Sequence, residues 1–442
     1  MILSQICLRL PTLIAICVAT FLPGHVNADE KVQLPYVVAS SEKGWPQFRG
    51  PGRDGVSNER GLQQSWPEGG PKAVWTAENL GRGYSSPIIA DGRIYLTGDV
   101  GEELHIRALD LAGRPLWQSK NGAYWRDPYP GARASVTFSE GRLYHENAHG
   151  RLACLDAATS RELWAVDLLE RFGGKNITWG LSECVLVDDH SVYATAGGRD
   201  ALVVAFDKVT GELRWKSPPL RDDAGNGEIE SASYVSPILI QFAARRYLVG
   251  CSLRHLFCVD AENGTLQWTR RFPTTYGVIA MMPALVGDGI FMTAPHGKGG
   301  RLFNLVPRTA PRETIGADEL WHTRLDTLQG CVVRSGEKLI GSYYGGRKGW
   351  AAIDAQSGEV LYDLPDTAKG APLLADGRVH AYCEDGSMLL LDPREDRFEV
   401  TGRFRFANAD DRDAWAHPVI HDGRLYLRYH DRLTCYDIRA TE

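Results

Sequence analysis

The sequence predicts an all-β fold, an eight-bladed β-propeller of four-stranded blades whose last blade is closed by an N-terminal strand. The first observation is a repeated element of strand, Asp, turn, strand and aromatic residue, seen clearly in AFDKVTGELRW at residues 205–215. The second is its spacing, 41 to 53 residues between the final aromatics. A period of about 40–50 residues with several short strands per unit is typical of propeller blades. The final aromatics are Trp75, Trp117, Trp164, Trp215, Trp268, Trp321 and Tyr362.

The residue types of the repeated turn explain why the chain reverses there. The Asp carboxylate can cap the turn, and the Gly that usually follows accepts a positive φ. A second reversal, usually Asp-Gly, joins the first two strands of most units, as at Asp91-Gly92. In chain order the first seven blades are predicted near residues 83–117, 132–167, 179–216, 233–270, 280–323, 329–363 and 369–405.

The eighth blade is predicted to be assembled from both ends of the propeller, residues 72–438. The strand KAVWTA at 72–77 has no repeat before it, and the last repeat, at 415–438, stops after three strands. Together they make one four-stranded blade, and such closure removes a free sheet edge. The preceding residues, 29–71, are expected to form a leader and an ordered loop packed on the propeller, since WPQFRGPGRDGVS at 45–57 has no strand period.

Residues 1–28 are interpreted as a secretory signal peptide. Arg9 precedes the apolar run Leu10–Leu22, and small residues precede Asp29. An apolar run of about thirteen residues is short for a membrane span, although an uncleaved anchor is the alternative. Cys17 does not follow a small residue, so we expect no lipid anchor. The mature protein is therefore expected to be periplasmic or secreted, without a membrane span.

Composition excludes several function classes. The net charge is −6 and no basic run of five residues occurs, which argues against nucleic-acid binding. No P-loop, dinucleotide fingerprint or Ser/His/Asp motif is present. The cysteines beyond residue 28 are odd in number, never adjacent and often in apolar strand positions, so we expect buried structural thiols. They are Cys154, Cys184, Cys251, Cys258, Cys331, Cys383 and Cys435.

The repeat resembles the quinoprotein-type, PQQ-like β-propeller family over residues 72–438. WPQFRGPGRDGVS at 45–57 and FGGKNITWGLSE at 172–183 are similar to segments of secreted bacterial PQQ-like repeat proteins. Two branches of this family are quinoprotein alcohol dehydrogenases and the outer-membrane assembly scaffold BamB. The resemblance is specific for fold and weak for activity, because one fold hosts many functions.

The dehydrogenase branch implies pyrroloquinoline quinone (PQQ) held between a ring of adjacent cysteines and a Trp, with Ca²⁺ bound by Glu, Asn and Asp. Trp179, Asn176 and Glu183 partly match, but there is no Cys-Cys pair and no matching Asp. The BamB branch implies a protein-binding scaffold, although its lipoprotein cysteine is missing. We therefore expect a ligand- or protein-binding scaffold, without cofactor, metal or demonstrated catalysis. The alternative is a quinoprotein alcohol dehydrogenase-like enzyme using PQQ and calcium.

The segments that enter the innermost strands are the expected place for a ligand, because those strands line the central channel. The predicted ligand-binding residues at the channel mouth are Arg133, Trp179, Glu183, Tyr234, Tyr84 and His417. Arg133 could grip an anion, while Trp179 and Tyr234 could stack on a planar or sugar-like ligand. The competing interpretations are that these rings pack between blades, that Arg133 pairs with Glu183, and that His417 is structural. The neighbouring segments also carry Arg82, Lys369 and Trp415. We expect a monomer.

Overall fold

The structure is a computed structural model, and no helix it describes is long and apolar enough to cross a membrane. The signal-peptide prediction at residues 1–28 lies outside the described part of the chain. The described residues are 34–440 except 127, 223, 225, 226, 243, 273 and 309–313.

Three strands precede the first complete blade: β1 (Tyr36–Val37), β2 (Val56–Ser57) and β3 (Lys72–Ala77). Blade 1 contains β4 (Ile88–Ala90), β5 (Arg93–Val100), β6 (Glu103–Asp110) and β7 (Pro115–Ala123). Blade 2 contains β8 (Thr137–Ser139), β9 (Arg142–Glu146), β10 (Arg151–Asp156) and β11 (Glu162–Asp167), followed by the short helix α1 (Leu168–Phe172). Blade 3 contains β12 (Leu186–Val187), β13 (Ser191–Thr195), β14 (Val203–Asp207) and β15 (Leu213–Lys216). Blade 4 contains β16 (Ile238–Phe242), β17 (Arg245–Cys251), β18 (His255–Asp260) and β19 (Leu266–Arg271).

The remaining blades continue the same antiparallel pattern. Blade 5 contains β20 (Ala284–Val286), β21 (Gly289–Ala294), β22 (Gly299–Arg308) and β23 (Thr314–Thr323). Blade 6 contains β24 (Val332–Ser335), β25 (Lys338–Ser342), β26 (Trp350–Asp354) and β27 (Val360–Leu364). Blade 7 contains β28 (Gly370–Ala375), β29 (Arg378–Cys383), β30 (Ser387–Pro393) and β31 (Phe398–Arg405). Blade 8 contains β32 (Val419–His421), β33 (Arg424–Tyr429), β34 (Arg432–Asp437) and β3. The predicted eight-bladed propeller is confirmed.

Closure between the two ends of the chain is also confirmed. Strand β3 pairs antiparallel with β34, with Trp75 opposite Cys435 and Lys72 opposite Asp437. The N-terminal strand is therefore the outermost strand of blade 8 and covers the edge of β34. Strands β3 and β34 are more than 340 residues apart in the sequence. Their pairing therefore closes the whole ring of blades.

Four of the repeated tryptophans join one blade to the next by a hydrogen bond. The indole of Trp215 donates a hydrogen bond to the Ala261 carbonyl at 3.0 Å, and its ring covers Gly264, where an added Cβ would lie 2.5 Å from the ring. Gly264 has φ 75°, as the turn chemistry predicts. The indoles of Trp75, Trp117 and Trp164 donate in the same way to Leu111, Ala157 and Lys208. These rings therefore lie between blades, each covering a turn of the following blade.

A second set of contacts joins the blades near the axis. The backbone N–H of Ser86 donates to the Ser135 hydroxyl at 2.9 Å, and that of Ser135 to the Cys184 sulfur at 3.2 Å. The Cys184 N–H continues the series to the Ser236 hydroxyl, and the His417 N–H donates to Ser86 from the other side. Five adjacent blades are thus linked through four small side chains. The seven described cysteines are all buried and unpaired, in agreement with the sequence.

Candidate functional site

The N-terminal loop, residues 45–57, crosses the central channel. Arg53 donates to the carbonyls of Cys184 and Val185 in blade 3, while Arg49 donates to those of Gly330 and Val332 in blade 6. At its end the loop forms β2, which pairs in parallel with β28 of blade 7. Because the loop contacts innermost strands on opposite sides of the ring, it closes the channel at this level.

A cavity of about 650 Å³ lies at the mouth of the closed channel, and residues from all eight blades line it. Phe48 of the crossing loop is among them, and its ring lies 4.7 Å from that of His417. The volume falls in the usual range of small-molecule pockets, about 300–1,000 Å³. A ligand enters this funnel from the mouth alone, because the loop blocks the way through.

Aromatic side chains form a collar around the cavity, in three groups. Trp415 lies 4.9 Å from Tyr84 and 5.2 Å from Tyr129, and Trp179 lies 5.9 Å from Tyr234. His296 bridges two further tyrosines at 5.1 and 4.9 Å. The members of this aromatic collar are Tyr84, Tyr129, Trp179, Tyr234, Tyr276, Tyr344 and Trp415.

Arg133 lines the cavity, but its N–H groups donate to backbone carbonyls of the protein. Its guanidinium donates to the carbonyl of Trp179 at 2.6 Å, of Gly131 at 2.6 Å, of Pro128 at 3.0 Å and of Tyr129 at 2.8 Å. Burial lowers the pKa of Arg133 to about 10, although the group remains a cation at neutral pH. Four of five N–H groups are therefore committed, and Arg133 holds the rim loop and the backbone of the Trp179 segment.

Glu183 does not line the cavity. Its side chain is buried beside that of Glu146, and one carboxylate oxygen accepts from the Thr195 N–H at 3.2 Å. Burial raises the pKa of Glu183 to about 7, and burial together with the Glu183 carboxyl raises the pKa of Glu146 strongly. The competing interpretation, in which Arg133 pairs with Glu183, is not supported, because the hydrogen bonds of the two side chains go to other groups. Along the segment 182–184, which precedes β12, the neighbours Ser182 and Cys184 face the cavity, whereas the side chain of Glu183 points away from it.

His417 lines the floor of the cavity and is fully bonded. Its Nδ1 lies 3.3 Å from the Arg49 guanidinium, which can only donate, and its Nε2 lies 2.8 Å from the Gln329 carbonyl, which can only accept. The ring is therefore the neutral Nε2–H tautomer. Burial, reinforced by Arg49, lowers the pKa of His417 to about 3. These contacts link blade 8 to the crossing loop and to blade 6.

The cavity lining also contains an ion pair between a lysine and a glutamate of blade 7. Lys369 lies 3.3 Å from Glu384 and 4.2 Å from the centre of the Tyr344 ring. Arg412 approaches the same carboxylate at 3.9 Å. Burial raises the pKa of Glu384, while Lys369 opposes that shift.

Asp326 holds one wall of the collar in place. It is buried and accepts from the N–H groups of Tyr344 at 2.9 Å, Gly297 at 2.8 Å and Gly345 at 3.1 Å. The first and third of these bonds fix the turn that carries Tyr344, and the second fixes the turn that carries His296.

Comparisons with known proteins agree with this architecture. A family model described as outer membrane protein assembly factor BamB matches residues 102–277. The crystal structure of BamB from Moraxella catarrhalis superposes with a TM-score of 0.58 at 14% identity, covering 83% of this chain and 99% of that one. The quinohemoprotein alcohol dehydrogenase from Comamonas testosteroni gives a TM-score of 0.61 at 12% identity, covering 90% and 81%. The chain is a β-propeller that is similar to PQQ-like repeat proteins.

A curated relative extends the similarity to the dehydrogenase side of this family. The alcohol dehydrogenase (quinone) dehydrogenase subunit of Acetobacter aceti is 28% identical over 143 residues, or 30% of this chain. The match spans 19% of the length of that relative. The likeness to solved structures establishes the fold, and the activity of the propeller is a separate question.

The residues of this propeller do not fit a quinone–calcium site. Trp179 lies in the collar, but Asn176 is absent from the cavity lining and donates to the Ala148 carbonyl at 2.9 Å. Glu183 is turned away, so the partial match predicted around Trp179 does not assemble. The buried carboxylate that does line the cavity, Glu384, is already neutralised by Lys369. A Ca²⁺ site needs six or more oxygen ligands.

Among the described residues, one group of three titratable side chains lies close enough together to hold a metal ion. None of the three lines the cavity. The ligand atoms of Asp222, Glu230 and His255 lie within 4.8 Å of one another. Arg254 donates to Glu230 at 2.6 Å, and Arg271 donates to Asp222 at 3.1 Å. The group is therefore an ion-pair network outside the cavity lining, with its carboxylates neutralised by arginine.

The structure brings together Tyr84, Arg133, Trp179, Tyr234 and His417 around one cavity. Lys369 and Trp415, noted in the entering segments, lie there too, while the described lining does not include Arg82. Some lining residues were missed because they lie outside the segments that were searched: before the propeller, in the connection between blades 4 and 5, or after the second strands of blades 6 and 7. They include Phe48, Tyr276, Tyr344 and Glu384.

Proposed function

We propose that this propeller is a periplasmic or secreted binding protein that receives a small polar ligand with a flat face and acts as a scaffold without catalysis of its own. The observation that carries the proposal is the collar of seven aromatic side chains around a funnel closed at its base. Aromatic walls with a few polar groups are the usual composition of small-molecule sites. The outer-membrane context named for the BamB model supports the proposed location.

The second candidate is a quinoprotein alcohol dehydrogenase-like enzyme, favoured by the similarity to the Acetobacter aceti subunit. Under that alternative PQQ and calcium would be required. The positions of Asn176 and Glu183 weigh against it, since neither side chain lines the cavity. The scaffold is therefore the function that the geometry supports best, and the expectation of no cofactor and no metal stays a prediction.

Thermal melting of the purified chain tests the proposal across neutral sugars, aromatic acids, nucleosides, and PQQ with Ca²⁺. At least one class should raise the melting temperature of the wild type by mass action. The shift should be lost in Trp179→Ala and kept in Tyr36→Ala, because Tyr36 is an exposed tyrosine outside the cavity. A shift in no class, or one that survives loss of the Trp179 ring, contradicts the proposal.

A spectroscopic assay separates the two candidates. After addition of PQQ and Ca²⁺ the scaffold should show no quinone absorbance retained after gel filtration, and no dye-linked oxidation of alcohols. Retained absorbance with turnover would assign the dehydrogenase function instead.

A further inference from the structure

The collar, its charges and the closed base together narrow the ligand class, on the assumption that the proposed function holds. We propose that the funnel binds the end of a neutral oligosaccharide, stacking pyranose rings on the aromatic collar. Three features of the described residues support this ligand class. The walls are made of flat aromatic rings, the cations at the cavity already have protein partners, and the channel is closed at its base.

The walls present ring faces from several directions. Trp179 is half-buried, and its indole N–H makes no hydrogen bond to any described residue, so both its face and its polar edge are available. Tyr276 is 68% exposed although it lines the cavity. Aromatic faces carry partial negative charge and attract partially positive hydrogens. The C–H groups on one face of a pyranose ring supply such hydrogens over a flat area.

The cations that line the cavity, Arg133, Lys369 and Arg412, are already paired, and the lining also carries the exposed carboxylate of Asp411. Arg133 directs four N–H groups at backbone carbonyls, and both Lys369 and Arg412 approach Glu384. A carboxylate or phosphate ligand would have to displace Glu384 from its cations and would then leave a buried anion unpaired. A ligand rich in neutral hydroxyl groups instead adds donors and acceptors to the existing pair. This favours a neutral polar molecule over an acidic one such as PQQ.

The floor has few polar groups to offer. The Ser135 hydroxyl both accepts and donates in the inter-blade series, those of Ser86 and Ser236 accept a backbone N–H group and keep one O–H donor each, and both ring nitrogens of His417 are bonded. Hydrogen bonding to the ligand therefore concentrates at the rim, around Lys369 and Glu384, while the interior contacts are with rings. A sugar with hydroxyls at its edges and C–H groups on its faces matches this division.

The closed base decides which part of a saccharide enters. Since residues 45–57 block the channel, a linear chain cannot thread through the propeller. One end of the chain must therefore occupy the funnel, with the remainder leading out past the rim. A cyclic saccharide of the same sugar has no end to insert and is expected to be excluded.

The test is a set of titrations followed by intrinsic tryptophan fluorescence. The probes are linear neutral hexasaccharides of glucose (β- and α-linked), N-acetylglucosamine, mannose and xylose, with α-cyclodextrin as the endless counterpart of the α-glucan. Hexagalacturonate and PQQ serve as acidic flat probes. At least one linear neutral probe should bind, and Trp179→Ala should weaken it about tenfold, as loss of one stacked ring predicts. Trp179→Phe should recover most of the affinity, and Tyr36→Ala should leave it unchanged.

Each of the other outcomes of these titrations would overturn a different part of the proposal. Binding of hexagalacturonate or PQQ without any neutral probe overturns the sugar class and leaves the proposed binding function intact. Equal binding of the cyclic and linear glucans overturns end insertion. Neutral sugar binding that survives Trp179→Ala places the site elsewhere. If no probe binds and the melting screen also finds nothing, the proposed function itself fails.

Discussion

The perimeter and the mouth of this propeller use aromatic residues in opposite ways. At the perimeter Trp75, Trp117, Trp164 and Trp215 make one contact repeatedly, an indole N–H to a carbonyl in a turn of the next blade. At the mouth each ring has its own partners and no contact repeats. Repetition around the ring is what a fold built from stacked units requires. The aromatic rings at the mouth that do not follow this repeat are therefore the candidates for function.

The largest expected effect tests the perimeter half of this comparison. Replacing Trp215 with Ala should lower the free energy of unfolding by about 3–5 kcal/mol, the usual cost of deleting a large packed aromatic. Trp179→Ala should cost less than about 1 kcal/mol, because this ring covers no turn of the next blade. Denaturant midpoints for the two variants measure the difference. Equal midpoints would show that the two classes of ring are not distinct.

The crossing loop should behave like the perimeter although it lies beside the mouth. Arg53 is buried and donates to Gln47 Oε1 at 3.1 Å as well as to two carbonyls of blade 3. Arg53→Ala should therefore cost about 2–4 kcal/mol, since it leaves buried acceptors without donors. Arg60→Ala is the matched control, because the Arg60 side chain is 70% exposed. An Arg53→Ala protein as stable as the control would mean that the loop does not seal the channel.

A buried carboxyl near the mouth should make stability depend on pH. The pKa of Glu183 is raised to about 7 by burial, so the folded chain binds this proton more tightly than the unfolded chain. The resulting stabilisation is complete below about pH 4.5 and is lost as the pH rises towards 7. Glu183→Gln keeps an acceptor for the Thr195 N–H and removes the titration of this carboxyl, while the buried Glu146 remains. The variant's free energy of unfolding should fall less between about pH 4.5 and 7, leaving it about 1–3 kcal/mol more stable than wild type at pH 7.

Denaturation at a series of pH values checks this behaviour, with the exposed Glu262→Gln as control. The control should follow the wild-type curve. A Glu183→Gln curve parallel to wild type across the interval would show that Glu183 is ionised and satisfied in the folded chain.

The smallest expected effect concerns an irregular turn in blade 2. Ser160 stands where blades 3 and 4 have Gly211 and Gly264, yet it has the same left-handed backbone, with φ 65°. Ser160→Gly should raise the free energy of unfolding by about 0.5–1 kcal/mol, because glycine relieves the strain at some cost in unfolded-chain entropy. Gly211→Ser should lower it, since an added Cβ would also meet the Trp164 ring at 2.7 Å. Calorimetry of both variants resolves the signs, and a destabilised Ser160→Gly would contradict the shared role of these turns.

The sequence predicts the repeated features of the perimeter better than the individual contacts at the mouth. The turn at Asp207–Gly211, the final Trp215 and the orphan strand β3 were predictable because each repeats or completes a repeat. The bonding of Arg133 was not, since its acceptors are backbone carbonyls of segments whose course depends on three-dimensional packing. Glu183 was expected at the mouth because its segment enters the innermost strand of blade 3, but its side chain is buried beside Glu146 instead. Tyr344 depends on Asp326 and on a turn for which the repeat gives no signal.

Native mass spectrometry of three proteins purified in parallel without denaturation tests the central claim most directly. They are the wild type, Trp179→Ala and Trp215→Ala, isolated from cells that make the natural ligand. The account predicts one non-protein adduct on wild type and on folded Trp215→Ala, absent from Trp179→Ala. An adduct retained by Trp179→Ala but lost from folded Trp215→Ala, or no adduct on any of the three, would contradict the assignment of binding to the mouth and folding to the perimeter.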